Sequence, residues 1–347
     1  MMFKTPAFWY PQKQDTDETM WLEKCLSPFS YIYWAGHILH QRLHRKPHET
    51  DAFTICIGNV VAGGSGKTPT AIALNTLIQG LGKDIDSCFL TRGYGGKTLG
   101  PIFVSDIQDR TQSADEALLL GKHADTIISA DRVLGIKYAD EKLYDVIIMD
   151  DGHQNPTVKK DLSFVVISEE TGFGNKRMLP AGPLREPLEE GLLRADAFIV
   201  VHNGTQPNDQ SDVYRQLPQN KPVFTAHLTA THAAEKIEKD RQYIAFSGIA
   251  HPYKFYRTLD DNGFDVVATH DFPDHHRYST DEIEKLISEA EQKGAALITT
   301  EKDAAKIADH LLETGDIHVL PVEITWDKPQ DVQQFLKEKI HKRHEKN

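Results

Sequence analysis

Long apolar runs are missing from this sequence. No stretch approaches the roughly 18–20 consecutive apolar residues that a membrane-crossing helix needs, so no spanning segment is expected. Cysteine is scarce: Cys25, Cys56 and Cys88 are the 3 cysteines in 347 residues, and they lie far apart. They make neither a disulfide framework nor a zinc spacing, which fits a reducing compartment. A positive surplus is missing as well. Lys and Arg number 39 against 51 Asp and Glu, a net charge of −12. General nucleic-acid binding needs the opposite balance and is excluded. The N-terminus lacks the apolar core of a secretory signal, and no repeat or low-complexity segment occurs. What is there, 39% hydrophobic and 26% charged residues, suits a globular chain long enough for two cores.

The chain is organised around residues 55–70, ICIGNVVAGGSGKTPT. A buried strand (Ile55, Cys56, Ile57) runs into a glycine-rich turn and then the start of a helix. Gly63, Gly64 and Gly66, with Ser65 among them, let successive N–H groups face inward. Lys67 adds a positive charge and Thr68 a hydroxyl. Such a nest at a helix N-terminus binds phosphate oxygens, because unpaired N–H groups and the helix dipole both favour an anion. The pattern G-x-x-x-x-G-K-[ST] is met at Gly66-Lys67-Thr68, but its first glycine is Val61 here, with glycine at 63 instead. A plain turn with a solvated lysine is the competing reading.

Residues 87–91, 144–151, 161–168 and 195–201 read as further strands separated by helical stretches. That alternation predicts an α/β fold with a mostly parallel sheet and a ligand beyond the strand C-termini. A polar stretch, 202–220, reads as a linker. Residues 243–248, 264–270 and 295–300 then read as a second set of strands. Segments 221–229 and 318–325 are expected to pair as a ribbon joining the domains. The expected division is 1–215 and 216–347, with a charged tail fraying from Lys337.

Several side chains after these strands carry chemistry. Asp150 and Asp151 close the strand YDVIIMDD, where phosphate-loop enzymes hold magnesium. Two adjacent carboxylates are costly without a cation; an Asp151-Gly152 turn is the plainer reading. Arg92 and Tyr94, in the loop RGYGGK, suit an anionic or sugar ligand, though a surface turn would look similar. Asp115 and Glu116 sit in a helix's first turn, where acids stabilise the dipole; alternatively Asp115 faces the nucleotide as a base. The stiff loop LPAGPLREP either presents Arg185 and Glu186 to the site or is purely structural. In FPDHHRY, two histidines beside Asp274 are poorly spaced for zinc and fit better as an imidazole oriented by a carboxylate.

Ser27-Pro28 reads as a helix start. Phe29, Ile32, Tyr33, Gly36, Leu39 and Leu43 follow at helical spacing, and the second half turns basic with Arg42, Arg45 and Lys46. An aromatic apolar end and a cationic end suit a helix lying in a membrane interface. An amphipathic helix packed on its own domain fits the same residues equally well.

In order, the motifs IGNVVAGGSGKTP, TRGYGG, ADEALLL, DVIIMDDGHQ, LPAGPLREP, FSGIAHPYKF, FPDHHRY and LITTEKDAAKI resemble those of the tetraacyldisaccharide 4′-kinases, the lipid A 4′-kinases of Gram-negative bacteria. The resemblance runs over residues 27–321. It implies transfer of the γ-phosphoryl group of ATP, with Mg2+, to the 4′-hydroxyl of a tetraacyl glucosamine disaccharide 1-phosphate. It implies two α/β/α domains, the first of phosphate-loop NTPase type, with the site in the cleft between them. It also implies peripheral attachment to the cytoplasmic face of the bacterial inner membrane through the N-terminal helix, with the lipid disaccharide as partner and no obligate protein partner.

By the same resemblance Asp115 and His275 form a dyad that deprotonates the acceptor. Lys67 and Thr68 match the phosphate-loop lysine and the magnesium-binding hydroxyl, and Asp150 and Asp151 the paired metal-site aspartates. Gln154, Arg185 and Glu186 match polar residues near the metal and phosphates. Arg92 and Tyr94 match the loop that approaches the disaccharide. One departure stands out: many members read DDGFQH where this chain reads DDGHQN, so Asn155 replaces a histidine. A nucleotide-dependent switch would need a base-reading N-K-x-D motif, and the sequence has none. A kinase for another sugar or lipid is the remaining alternative.

Overall fold

Runs that are apolar at nearly every position form the middle of a large sheet, because only strands covered on both faces tolerate such sequences. The computed structural model describes residues 6–10, 17–43, 46–82, 85–108, 113–202, 206–208, 210–274, 276–307, 309–314 and 316–344. Its strands are β1 (Phe53–Gly58), β2 (Ser87–Thr91), β3 (Ile102–Phe103), β4 (Thr126–Ile128), β5 (Val146–Asp150), β6 (Leu162–Ser168), β7 (Ala197–His202), β8 (Val223–Ala230), β9 (Gln242–Ser247), β10 (Asp265–Asp271), β11 (Ala296–Thr300), β12 (Ile317–Leu320) and β13 (Val322–Trp326).

Nine strands make the larger sheet, in the order β13-β8-β7-β6-β1-β5-β2-β4-β3. Among the described residues, only the two edge strands, β3 and β13, run antiparallel to their neighbours. On one face, Leu74 and Ile78 of the helix Lys67–Gln79 pack with Leu336 and Ile340 of the helix Pro329–His344. On the other face, Ile136 of the helix Arg132–Glu141 and Leu192 of the helix Leu188–Arg194 close two further clusters. The four-stranded sheet, β10-β9-β11-β12, is wholly parallel. It is covered by Phe255 and Leu259 of the helix Pro252–Asp261 on one side and by Ile283 and Leu286 of the helix Thr280–Lys293 on the other. The molecule is therefore α/β with a mostly parallel large sheet, as the alternating pattern predicts.

The expected ribbon exists: β8 pairs antiparallel with β13, Leu228 opposite Ile324. The division of the chain differs from the expected one. Both ribbon strands belong to the larger sheet, so the smaller sheet is held by residues 231–321 rather than 216–347. The C-terminal helix returns to the first domain instead of fraying. Val332, Leu336 and Ile340 place one apolar stripe, i, i+4, i+8, against the helix Lys67–Gln79, and the charged residues between them face water.

The N-terminal helix also departs from expectation. It spans Asp17–Leu43, with Pro28 inside it rather than at its start. The Ser27 hydroxyl donates to the Glu23 carbonyl at 2.9 Å, an interior bond that replaces the expected cap. One edge is held to the body by Ser30 Oγ donating to the Met178 carbonyl at 2.8 Å. Among the described residues, no helix is long and apolar enough to cross a membrane. Strands β3 and β4, of two and three residues, are too short to show a periodicity.

Candidate active site in the interdomain cleft

The loop after β1 takes the shape that its glycines permit. Gly63 and Gly66 have φ of 117° and 87°, a region in which a side chain is strained. Asn59 braces the turn by donating its amide to Ser65 Oγ at 3.0 Å. The loop is clamped from outside by LPAGPLREP: Ala62 N–H donates to the Pro183 carbonyl at 2.7 Å and Arg185 N–H to the Val60 carbonyl at 2.9 Å. That zipper is what carries Arg185 to the glycine-rich turn.

Arg185 Nη1 donates to Asp151 Oδ1 at 2.7 Å, and Lys67 Nζ lies 3.9 Å from the same oxygen. Burial pushes the Asp151 carboxyl up, but Lys67 and Arg185 outweigh it and hold the group well below the usual carboxylate range. Asp150 has the opposite balance. Burial, and then the charge of Glu116, push its carboxyl above the usual range. Thr68 Oγ1 donates to Asp150 Oδ2 at 3.0 Å, while Asp150 Oδ1 is buried with no partner among the described residues. An orphaned carboxylate oxygen beside a phosphate-loop hydroxyl is a hard-oxygen donor set, and it fits Mg2+.

A cavity of about 1830 Å³ lies between the two domains. Of the residues singled out from sequence, Gly63, Gly64, Ser65, Gly66, Lys67, Thr68, Arg92, Tyr94, Asp150, Asp151, Gln154 and Arg185 line it. Glu186 does not. It is fully buried behind the wall, where Oε1 accepts from Gln154 Nε2 at 2.7 Å and Oε2 pairs with Arg194. Asp115 is also set back, and its neighbour Glu116 lines the wall in its place. His275 lies outside the described residues. Beside it, Asp274 lines the cavity, and Arg277 Nη2 donates across the cleft to the Gly95 carbonyl at 3.1 Å. The RGYGGK and FPDHHRY loops thus meet at the cavity mouth. Asn155, at the departure noted above, accepts from Thr157 N–H and Oγ1 at 3.0 and 2.9 Å and serves the local turn.

Sequence reasoning missed the cross-domain lysines. Lys302 Nζ lies 2.6 Å from Glu116 Oε1, and Lys306 Nζ lies 3.3 Å from Asp115 Oδ2 and 3.2 Å from Asp303 Oδ1. Burial alone would lower Lys302, but the Glu116 carboxylate more than offsets it and raises the group. The i, i+4 spacing of the two lysines in EKDAAK was the signal, since it puts both on one face. His251 was missed too: it overhangs the phosphate loop from the smaller domain, and burial lowers it to about 4. The N-terminal helix completes the wall with Ile32, Tyr33, Gly36, His37 and His40.

Known proteins resemble this one along nearly its whole length. A tetraacyldisaccharide 4′-kinase of Bradyrhizobium sp. (strain BTAi1 / ATCC BAA-1182) is 38% identical over 341 residues, covering 97% of this chain and 95% of that one. One from Paramagnetospirillum magneticum is 40% identical over 328 residues, covering 94% and 95%. The crystal structure of LpxK from Aquifex aeolicus in complex with ATP superposes with a TM-score of 0.70 at 27% identity, covering 92% of this chain and 99% of that one. The sequence profile of the tetraacyldisaccharide-1-P 4′-kinases matches residues 22–341, and the chain belongs to that family.

Proposed function

We propose that the cleft transfers the γ-phosphoryl group of ATP, with Mg2+, to the 4′-hydroxyl of a tetraacyl glucosamine disaccharide 1-phosphate presented by the cytoplasmic face of the bacterial inner membrane. One observation carries this reading. A single cavity is lined by both the phosphate loop and the N-terminal helix, so a nucleotide and an amphiphile can share one space. The helix surface outside the cavity is unusually apolar: Trp21, Phe29 and Tyr31 are 64%, 56% and 72% exposed. Aromatic side chains of this kind enter a lipid headgroup region.

Phosphoryl transfer depends on position and charge more than on covalent help from the protein. The loop N–H groups, Lys67 and Arg185 would hold the triphosphate. Gln154 fixes the loop by donating to the Asn59 carbonyl at 2.7 Å. Thr68 and Asp150 would hold Mg2+, with Asp151 beside them and Glu186 supporting through Gln154. The ion neutralises charge on the phosphate oxygens when bound. Arg92 and Tyr94 would meet the disaccharide at the mouth. A sugar hydroxyl is a weak nucleophile near neutral pH, and Asp115, with His275 from the smaller domain, would take its proton.

The test is incubation of the protein with γ-labelled ATP, Mg2+ and the tetraacyl disaccharide 1-phosphate in detergent. Label at the 4′ position supports the reading. ATP binding with no transfer to this acceptor overturns it.

A further inference from the structure

Three side chains outside the cleft come from distant parts of the chain and converge. His202 ends β7, His227 lies in β8, and Asp327 follows β13 directly. His202 Nε2 is 2.9 Å from Asp327 Oδ2, and His227 Nδ1 is 3.0 Å from Oδ1. The imidazole centroids are 5.2 Å apart. Among the described residues, this is the group of histidine, cysteine and acidic side chains whose ligand atoms lie within 4.8 Å of one another. None of the three lines the catalytic cavity. Val201 and Ala226 turn to the phosphate-loop face of the sheet, so strand alternation sends His202 and His227 to the opposite face.

We propose that His202, His227 and Asp327 bind a divalent transition-metal ion of borderline softness, of which Zn2+ is the type. Two imidazole nitrogens and one carboxylate oxygen are the donors such ions prefer. In a tetrahedral site with bonds of about 2.0–2.1 Å, donor atoms sit roughly 3.3 Å apart. The two imidazole–carboxylate separations, each to its own oxygen of Asp327, fall a few tenths of an ångström short of that, and the three ligand atoms all lie within 4.8 Å of one another. The fourth position is open to water, since His202 is fully buried while the His227 and Asp327 side chains are 22% and 18% exposed.

The placement gives the ion a purpose. The chain passes to the smaller domain through β8 and returns through β13. The cluster ties both crossings to β7, which belongs wholly to the larger sheet. A bound ion cross-links the base of the interdomain ribbon, on which any closure of the cleft must pivot. With three protein ligands and a water, the site is exchangeable rather than permanently filled.

The test uses the full chain stripped of metal by chelator and titrated with Zn2+ against a chromogenic competitor. One equivalent should bind, raise the melting temperature, and give with Co2+ the intense visible absorption of a tetrahedral nitrogen–oxygen site. Asp150→Asn, which alters the proposed magnesium position, should retain that equivalent. His227→Ala and Asp327→Asn should lose it together with the melting shift. His227→Gln keeps a hydrogen-bond donor toward Asp327 and serves if the alanine variant does not fold. Absence of stoichiometric binding, or binding unchanged in folded His227 and Asp327 variants, would show a hydrogen-bonded clasp only and overturn the proposal.

Discussion

Lys306 of the smaller domain sits between two acids, 3.3 Å from Asp115 of the larger domain and 3.2 Å from its own Asp303. The three side chains are nearly shut off from water, at 8%, 11% and 0% exposure. One ammonium therefore fixes the acid set behind the cavity and joins the domains at that point.

Lys306→Met should act on both levels. It leaves the buried Asp303 charge uncompensated, which costs about 3 kcal/mol and lowers the melting temperature. It also removes the ammonium beside Asp115, so kcat should fall about tenfold while KM for ATP holds. Lys306→Arg should restore most of both. A methionine variant that melts and turns over like the parent would refute the pairing's importance.

Asp150→Asn separates stability from activity. The Asp150 carboxylate is buried with one oxygen orphaned, an expensive arrangement without a cation. In the absence of Mg2+ the amide variant should melt at or above the parent. With Mg2+ and ATP its turnover should drop by about 10²-fold. A lower melting point in metal-free buffer would argue against an uncompensated carboxylate there.

His251 makes the fold acid-sensitive. Burial, aided by Lys254, lowers its pKa from 6.5 to about 4 in the folded chain. Below pH 6.5 the unfolded chain takes up a proton that the folded chain refuses until about pH 4. Stability is thus lost as pH falls through this window, by at most about 1.4 kcal/mol per pH unit from this group. His251→Gln should flatten the curve there. Parallel stability–pH curves for parent and variant would contradict the assignment.

Trp21→Glu combined with Phe29→Glu tests the membrane face. Each ring is exposed and stands clear of the cavity wall. Withdrawing one buried apolar side chain from lipid costs about 1.5–3 kcal/mol, so co-sedimentation with anionic vesicles should weaken more than tenfold. The melting temperature should not change. Unaltered sedimentation would rule out this face as the contact. Removal of residues 1–46 should abolish sedimentation altogether.

The glycine-rich turn after β1, the strand-end aspartates and most strands were legible because their signals are local. ICIGNVVAGGSGKT carries strand, turn and helix start within one window, and VIIMD is apolar enough to be buried on both faces. The return of the C-terminal helix was not legible. Val332, Leu336 and Ile340 are thinly spread through charged sequence, and their partner lies more than 250 residues earlier (336 against 78). Ser27-Pro28 misled because a cap-like pair is local chemistry, whereas the helix runs on through it from Asp17 to Leu43. Lys302 and Lys306 stand out by their i, i+4 spacing, but their partners Glu116 and Asp115 could not be read, because a cross-domain ion pair leaves no trace of its other half. His275, named from sequence as the partner of Asp115, lies outside the described residues, and its role rests on the proposal above.

The most direct measurement is single-turnover transfer from ATP to the tetraacyl disaccharide 1-phosphate by the parent and by Asp115→Asn, with ATP affinity measured alongside. The account predicts a rate at least about 10²-fold lower in the variant and unchanged ATP binding, as expected for loss of a proton acceptor. Equal rates in the two proteins would contradict it.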